Sequence, residues 1–339
     1  MSVELRDSPP SPPPTLYAGE HFGRATAAHE GGEWKYLSND DGTFGIPLVI
    51  RSIPNSDLVD AVTPYGYGGI HIDESLSDEE AATLWAEALE VMNQAGIVSV
   101  FFRFPPFIPR QAERAAKLPG LDVERVSSTF LVKTDDPDAA RSRLHKSCRR
   151  AVRRAQEAGF VTVVEPPSKD NMTAFRQLYE ASMSRLNAQD GYFFGDEYFD
   201  GLAGLGESMK VSRVVAPSGD TVAASLLMTD DRIAHAHLSG AAPDARGVSN
   251  LRLWDLVKWC AESDVTDMHM GGGIREGDSL SRFKQSFGGE QVDFLVGRLV
   301  VNERVYRSLV GRQRDAGHGV DGQAGAFFPA YRANMEVSE

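Results

Sequence analysis

A helical run that stops on a glycine and returns at once as a strand occurs twice in this chain, and that pattern limits its folds more than any other feature. Ala81 to Asn93 carries apolar residues at helical spacing behind Ser77-Asp78-Glu79-Glu80, which reads as a cap and an acidic first turn. The helix stops at Gly96 and feeds the strand Ile97-Val98-Ser99-Val100-Phe101-Phe102. From Thr129 a similar order begins again, with a strand Phe130-Leu131-Val132-Lys133 and a helix from about Pro137 to Ala158. Gly159 is the stop and Val161-Thr162-Val163-Val164 the returning strand. At 339 residues the chain exceeds what one ordinary core supports, so two α/β (α+β) domains of similar grammar are expected.

Around these units, Trp34 to Ser38 and Phe44 to Arg51 read as a hairpin across the turn Asn39-Asp40-Asp41-Gly42. Further helices are expected from about Met172 to Leu186, Tyr198 to Leu205 and Asn250 to Ser263. Strands are expected at Ser212 to Val215, Thr221 to Met228, Arg232 to Ser239, Asp293 to Val296 and Arg298 to Val301, the last leading into a helix that ends near Gly311. The stretch from Arg312 to Glu339 has no sustained period and is expected to be partly disordered. Residues 1–15, with Ser8-Pro9-Pro10-Ser11-Pro12-Pro13-Pro14, are expected to form an extended, mobile leader.

Hydrophobic residues at 42% and charged residues at 24% describe a globular soluble protein. No run approaches the roughly 18 apolar residues of a membrane span, and the acidic, proline-rich start is unlike a signal peptide. A cytoplasmic protein without integral membrane association is therefore expected. Cys148 and Cys260 stand 112 positions apart without CxxC or histidine partners, so they read as buried small side chains rather than a disulfide or zinc site. The net charge of −13 argues against a protein that coats DNA or other nucleic acid over its whole surface. Basicity is local: seven Lys/Arg and no Asp/Glu lie between Arg141 and Arg154.

That basic helix carries Leu144, Cys148, Ala151 and Ala155 on one face and Arg143, Lys146, Arg150 and Arg154 on another. Such a cationic face suits a pyrophosphate or an RNA backbone, and as readily a solvated surface. A second candidate is the triplet Gly271-Gly272-Gly273 after Asp267-Met268-His269-Met270, which lets the backbone approach another group closely. Downstream lies Arg282-Phe283-Lys284-Gln285-Ser286-Phe287-Gly288. A lysine between phenylalanines is either half-desolvated, so that its charge acts strongly on a phosphate or a developing oxyanion, or a solvated lysine between two core aromatics.

Other segments carry less. Arg246 to Asp255 is a strand-to-helix connection whose backbone N–H groups face an anion or a plain cap at Ser249 or Asn250; Ser249 and Leu251 stand where a coenzyme A loop carries glycines. His235 and His237 share a strand face without a third metal ligand and read as structural. Tyr65 and Tyr67, in Thr63-Pro64-Tyr65-Gly66-Tyr67-Gly68-Gly69, offer flat surfaces for a ring or sugar, or simply pack the loop. No nucleophile elbow, Walker loop or zinc-protease helix occurs. The chemistry left is a site that positions and polarises, with no metal and no cofactor.

Taken in order, several of these segments resemble the Fem family of non-ribosomal peptidyl transferases and its GNAT-like relatives. They are Thr63 to Gly69, Leu144 to Ala155 with Gly159-Phe160, Phe175 to Arg185 with Tyr192 to Phe199, Leu238 to Asp255, and Gly271 to Gly288, within about residues 35 to 300. The resemblance implies two GNAT-like domains, the second inserted in the first: 16–126 plus 297–339, and 127–296. The short stretch Leu202 to Val211 leaves no room for the coiled-coil arm of some members. It implies aminoacyl transfer from a charged tRNA to an amine on a peptidoglycan precursor or a natural-product intermediate. Lys284 then contacts phosphate and stabilises the carbonyl oxyanion, and Tyr198, Phe283 and the glycines line the substrate. The family's acidic residue before a proline is Phe104 in Arg103-Phe104-Pro105, which leaves the acceptor amine to lose its proton to water or substrate. The rivals are an acyl-CoA-dependent N-acyltransferase on the same fold and an RNA-binding protein without catalysis. Oligomeric state is not written in these residues.

If the basic helix binds tRNA, neutralising Arg150 and Arg154 together weakens binding and flattens its salt dependence by about one unit of slope per lost phosphate contact. Affinity measured across a salt series checks this, and an unchanged slope makes the helix a solvated face.

Overall fold

In the computed structural model, which describes residues 2–243, 247–273, 276–315 and 327–333, contacts divide the chain into two units. Unit 1 is Met1–Val126 with Phe294–Glu339, and unit 2, inserted between them, is Ser127–Asp293.

Unit 1 begins with β1 (Glu4–Arg6), α1 (Glu20–Glu30), β2 (Gly32–Ser38), β3 (Phe44–Ser52), β4 (Val59–Val62) and the short β5 (His71–Ile72). It continues with α2 (Asp78–Gln94), β6 (Ile97–Arg103) and α3 (Pro109–Ala115). The hairpin β2–β3 forms with Tyr36 opposite Pro47. Ser77 and Glu80 cap α2 reciprocally, each accepting from the other's backbone N–H, and the helix buries Ala81, Leu84, Trp85, Ala88 and Met92 on one stripe. Gly96 takes the left-handed φ of +74° that lets the chain turn straight into β6. Because α2 crosses over the sheet, β6 runs parallel to β4, the one parallel pair among the described residues of this unit.

Two elements of unit 1 depart from the sequence reading. Part of the expected leader is strand: Glu4 pairs with Ser38, Arg6 with Tyr36, and Val3 is buried. The edge of β2 presents backbone groups that need partners, and a short extended segment supplies them. Helix α1 carries Gly23 in its middle, which weakens the helical signal. A Cβ there would lie 2.1 Å from the Trp34 ring, so the glycine permits close packing of α1 on β2.

Unit 2 holds the end of β7 (Leu121–Lys133), α4 (Pro137–Arg143), α5 (Lys146–Glu157), β8 (Val161–Glu165), α6 (Lys169–Arg185) and α7 (Asp196–Ala203). Then come β9 (Met209–Val215), β10 (Thr221–Asp230), β11 (Ile233–Ala241), α8 (Val248–Glu262), β12 (Asp267–Gly272) and α9 (Ser279–Gln285). The strand order is β7-β12-β11-β10-β9-β8, and β11–β12 is again the one parallel pair among the described residues. Only Gly204 to Ser208 joins α7 to β9, so there is no coiled-coil arm. The helix expected from Pro137 to Ala158 is two helices. Leu144 is extended at ψ 136°, and the His145 ring accepts from the backbone N–H of Ser147 to start α5.

The chain then returns through β13 (Glu290–Val300), whose later half pairs with β6, and α10 (Glu303–Asp315). The internal repeat is therefore longer than the sequence suggests. Each copy runs helix, three antiparallel strands, helix, parallel strand, short helix and final strand: α1-β2-β3-β4-α2-β6-α3-β7, then α6-β9-β10-β11-α8-β12-α9-β13. The counterpart of α2–β6 is α8–β12, not the basic helices with β8. The later part of each final strand pairs within the unit it enters, β7 with β12 in unit 2 and β13 with β6 in unit 1.

Part of the stretch expected to be irregular is also ordered. Buried Asp60 accepts from Arg51 Nε at 3.1 Å, from Tyr331 Oη at 3.1 Å and from Arg332 Nη2 at 3.1 Å, while Tyr331 Oη also meets Ser99 Oγ at 2.8 Å. Residues 316–326 and 334–339 lie outside the described residues. Among the described residues no helix is long and apolar enough to cross a membrane. Arg332→Met removes charge-assisted hydrogen bonds from a carboxylate that keeps only Arg51 and Tyr331, so it should cost about 1.5–3 kcal/mol in denaturant unfolding. A loss below a few tenths of a kcal/mol would show that the 327–333 segment is not anchored there.

Candidate active site

The glycine triplet sits where β12 leaves its partner. Asp267, Met268 and His269 pair with Lys133, Val132 and Leu131, but the next pair is Gly272 with Thr129, so β12 has one residue more than β7. That bulge is taken up at Gly271, whose φ of +69° is left-handed. At Gly272 a Cβ would lie 2.6 Å from the Ser128 carbonyl oxygen of β7. The close backbone approach implied by the triplet is thus a strand neighbour on one side. On the other, the Gly272 carbonyl accepts a hydrogen bond from Lys284 Nζ at 2.6 Å. Gly273 lies just past the strand end.

Lys284 is presented by α9, a helix that sequence periodicity does not reveal, started by Asp278 accepting from the backbone N–H of Ser281 at 2.7 Å. Phe283 beside it packs edge-on against buried Phe287, ring centroids 5.5 Å apart. Burial pushes the Lys284 ammonium down to about 8, with Asp278 opposing and the Arg252 charge assisting. It is mostly charged at neutral pH. Among the described residues Gly272 is its one hydrogen-bond acceptor, leaving two of its three N–H groups for a ligand.

Two residues that were not singled out in the sequence stand beside this lysine. His269 on β12 is buried and held neutral, at about 3, first by burial and then by the Lys284 charge. His235, its register partner on β11, meets it edge-on at 5.8 Å and is likewise held neutral by burial. Arg252 on α8 is the other, buried to 5% exposure. The hints were faint: a histidine between methionines in an apolar strand, and an arginine between Leu251 and Leu253.

Tyr198, in the first turn of α7, is buried with its ring stacked on Phe194 at 4.1 Å. Its hydroxyl meets His237 Nε2 at 2.7 Å, and burial keeps His237 neutral, at about 3. His237 is the extra residue of a bulge in β11, between the pairs Leu227–Ala236 and Leu226–Leu238. The channel tyrosine of the sequence reading thus has its hydroxyl engaged.

The basic residues are less united than the sequence reading has them. Lys146, Arg150 and Arg154 lie exposed on α5, whereas Arg143 ends α4 and donates from Nη2 to the Lys133 carbonyl at 3.0 Å. Arg153 has an acidic partner one turn on, Glu157 at 3.5 Å, just beyond the acid-free window. Gly247, with φ +79°, is the cap residue of α8 rather than Ser249 or Asn250, and Asn250 donates to Cys148 Sγ at 3.4 Å. Arg246 lies outside the described residues. Cys148 and Cys260 are free and buried. In unit 1, Tyr67 packs edge-on against Tyr17, Phe107 and Phe294, with Tyr65 half-buried beside it. Phe104 is core, stacked on Phe102.

Residues 142–285, most of unit 2, match the family model described as acetyltransferase (GNAT) domain. No curated protein sequence matches the chain. Among solved structures the chain is similar to FemX, with a TM-score of 0.70 and 14% identity over 89% of this chain and 97% of that one. It is also similar to L-PGS from Bacillus licheniformis, at 0.59 and 15% over 86% and 91%. A tandem GNAT protein from the clavulanic acid biosynthesis pathway gives 0.51 and 9% over 89% and 99%. At these identities the likeness is one of fold, and it covers both units.

Gly271→Ala should destabilise by about 1–2 kcal/mol, the cost of a left-handed non-glycine residue. Gly272→Ala should cost more, because the group in its way is backbone. Equilibrium unfolding of both variants checks this; a neutral Gly272→Ala would contradict the close approach to Ser128.

Proposed function

We infer that this chain, an acyltransferase of the GNAT-like superfamily with a Fem-type fold, forms an amide bond by moving an aminoacyl group from a charged tRNA to an amine. The observation that carries this reading is the half-buried Lys284 ammonium, fixed to the Gly272 carbonyl with two N–H groups left over. The acceptor amine attacks the ester carbonyl of the donor, the C–N bond forms, and the carbonyl oxygen becomes an oxyanion that Lys284 Nζ receives. Collapse breaks the C–O bond to the tRNA ribose, whose hydroxyl leaves with a proton. The amine proton goes to water or substrate, in keeping with Phe104 at the family's acidic position. A preorganised cation in a low-dielectric site stabilises such charge without reorganising as it develops.

The exposed cations Lys146, Arg150 and Arg154 of α5 suit tRNA phosphate, and Arg143 of α4 is assigned to the same role. Phe283, Tyr198 and the glycines Gly271, Gly272 and Gly273 belong to the substrate-binding part of this reading, with Tyr65 and Tyr67 offered by unit 1. The acceptor is an amine on a small molecule or a cell-wall precursor. Incubation with mixed radiolabelled aminoacyl-tRNAs and candidate amines, against acyl-CoA donors, tests the donor. Label transferred only from acyl-CoA makes the chain a coenzyme A-dependent N-acyltransferase, and tRNA bound without turnover on any acceptor makes it an RNA-binding protein.

Lys284→Met should lower turnover by about 10²–10³, as removal of one oxyanion donor does, with little loss of thermal stability. Because the protonated lysine is the active form and its value lies at about 8, kcat/KM should fall as pH rises through that value, and the variant should lack the limb. A rate that instead rises through the same range would make Lys284 a base and end the oxyanion assignment.

A further inference from the structure

Arg252 is the one lysine or arginine buried among the described residues, at 5% exposure. Among the described residues neither its Nε nor its Nη1 has a hydrogen-bond acceptor. The carboxylate nearest in sequence, Asp255, is paired with Lys258 at 2.7 Å. A guanidinium taken out of water without acceptors is costly, and folded chains bury one only against a counter-charge. The second cation of this region, Lys284, adds repulsion, and the acid that acts on it, Asp278, is the start of α9. Burial by itself moves Arg252 to about 10, so it stays charged at neutral pH, and among the described residues no carboxylate acts to raise it.

We propose that Arg252 receives an anionic group of the ligand, a phosphate or a carboxylate, and holds it next to the Lys284 ammonium. The inference rests on the reading of Lys284 as the reacting centre. A guanidinium offers planar, paired donors that match either oxyanion, whereas the ammonium offers a point charge. Division of labour follows: Arg252 anchors an ionised part of the substrate, and Lys284 faces the carbonyl that changes. The anion is also what repays the cost of keeping Arg252 desolvated, so the site is less stable empty than filled.

Thermal melts of the full chain, its Arg252→Met and Arg252→Lys variants, with and without inorganic pyrophosphate or succinate, test this. Without either anion, Arg252→Met should melt at or above the wild-type temperature, since it removes an unpaired buried charge and keeps much of the volume. At least one anion should raise the wild-type midpoint. That shift should need tenfold or more anion in Arg252→Met and be partly kept in Arg252→Lys. A shift with pyrophosphate alone assigns a phosphate ligand, and with succinate alone a carboxylate. The proposal is overturned if Arg252→Met melts well below wild type or does not fold, if neither anion shifts wild type, or if the shift survives the methionine. An anion shift without any tRNA-dependent transfer would sink the donor reading and leave the Arg252 site standing.

Discussion

With one residue more on β12 than β7 can pair, the Gly271 turn brings the Gly272 carbonyl round to the Lys284 ammonium, and the chemistry proposed for unit 2 depends on that contact. The bulge needs a residue at φ +69° followed by one with no Cβ, which glycine alone supplies. The carbonyl then fixes one N–H of a cation that burial has already made less basic. A lysine so held has little conformational freedom left to lose when a ligand arrives, which is the condition for acting on a transition state.

The repeat supplies an internal comparison. Helix α3 occupies in the first copy the place of α9 in the second, and it carries Arg114 where α9 carries Lys284. Arg114 is spent on the carbonyls of Ile72, Asp73 and Leu76, so in unit 1 the cation holds a loop. In unit 2 the cation keeps two of its donors. One architecture thus serves structure in one copy and candidate chemistry in the other, and the difference lies in how many acceptors the chain itself provides.

Much of the fold was legible where local and global signals agree. The Ser77–Glu80 cap, the stops at Gly96 and Gly159 with their positive φ, and the β2–β3 hairpin all combine apolar period with punctuation. Elements were missed where packing overrides propensity: α1 because Gly23 sits under Trp34, β1 because prolines follow it, and α9 because seven residues are too few to show a period. The break at Leu144-His145 went unread because a histidine ring is an uncommon cap. The site divides in the same way. Gly272 and Lys284 stood out by residue type, and the hydrogen bond between them unites the two strongest sequence signals. Arg252 and His269 did not stand out, since burial of a polar residue is a property of the assembled unit and not of its neighbours in sequence.

The central claim is that burial beside the Gly272 carbonyl leaves Lys284 an ammonium of unusually low basicity. An NMR titration of the lysine Cε and Nζ signals in labelled protein, assigned by the loss of one resonance in Lys284→Arg, measures it directly. The account predicts a midpoint near 8 for that single resonance. A midpoint at or above the ordinary lysine value of 10.5 would mean a solvated side chain and would contradict the account.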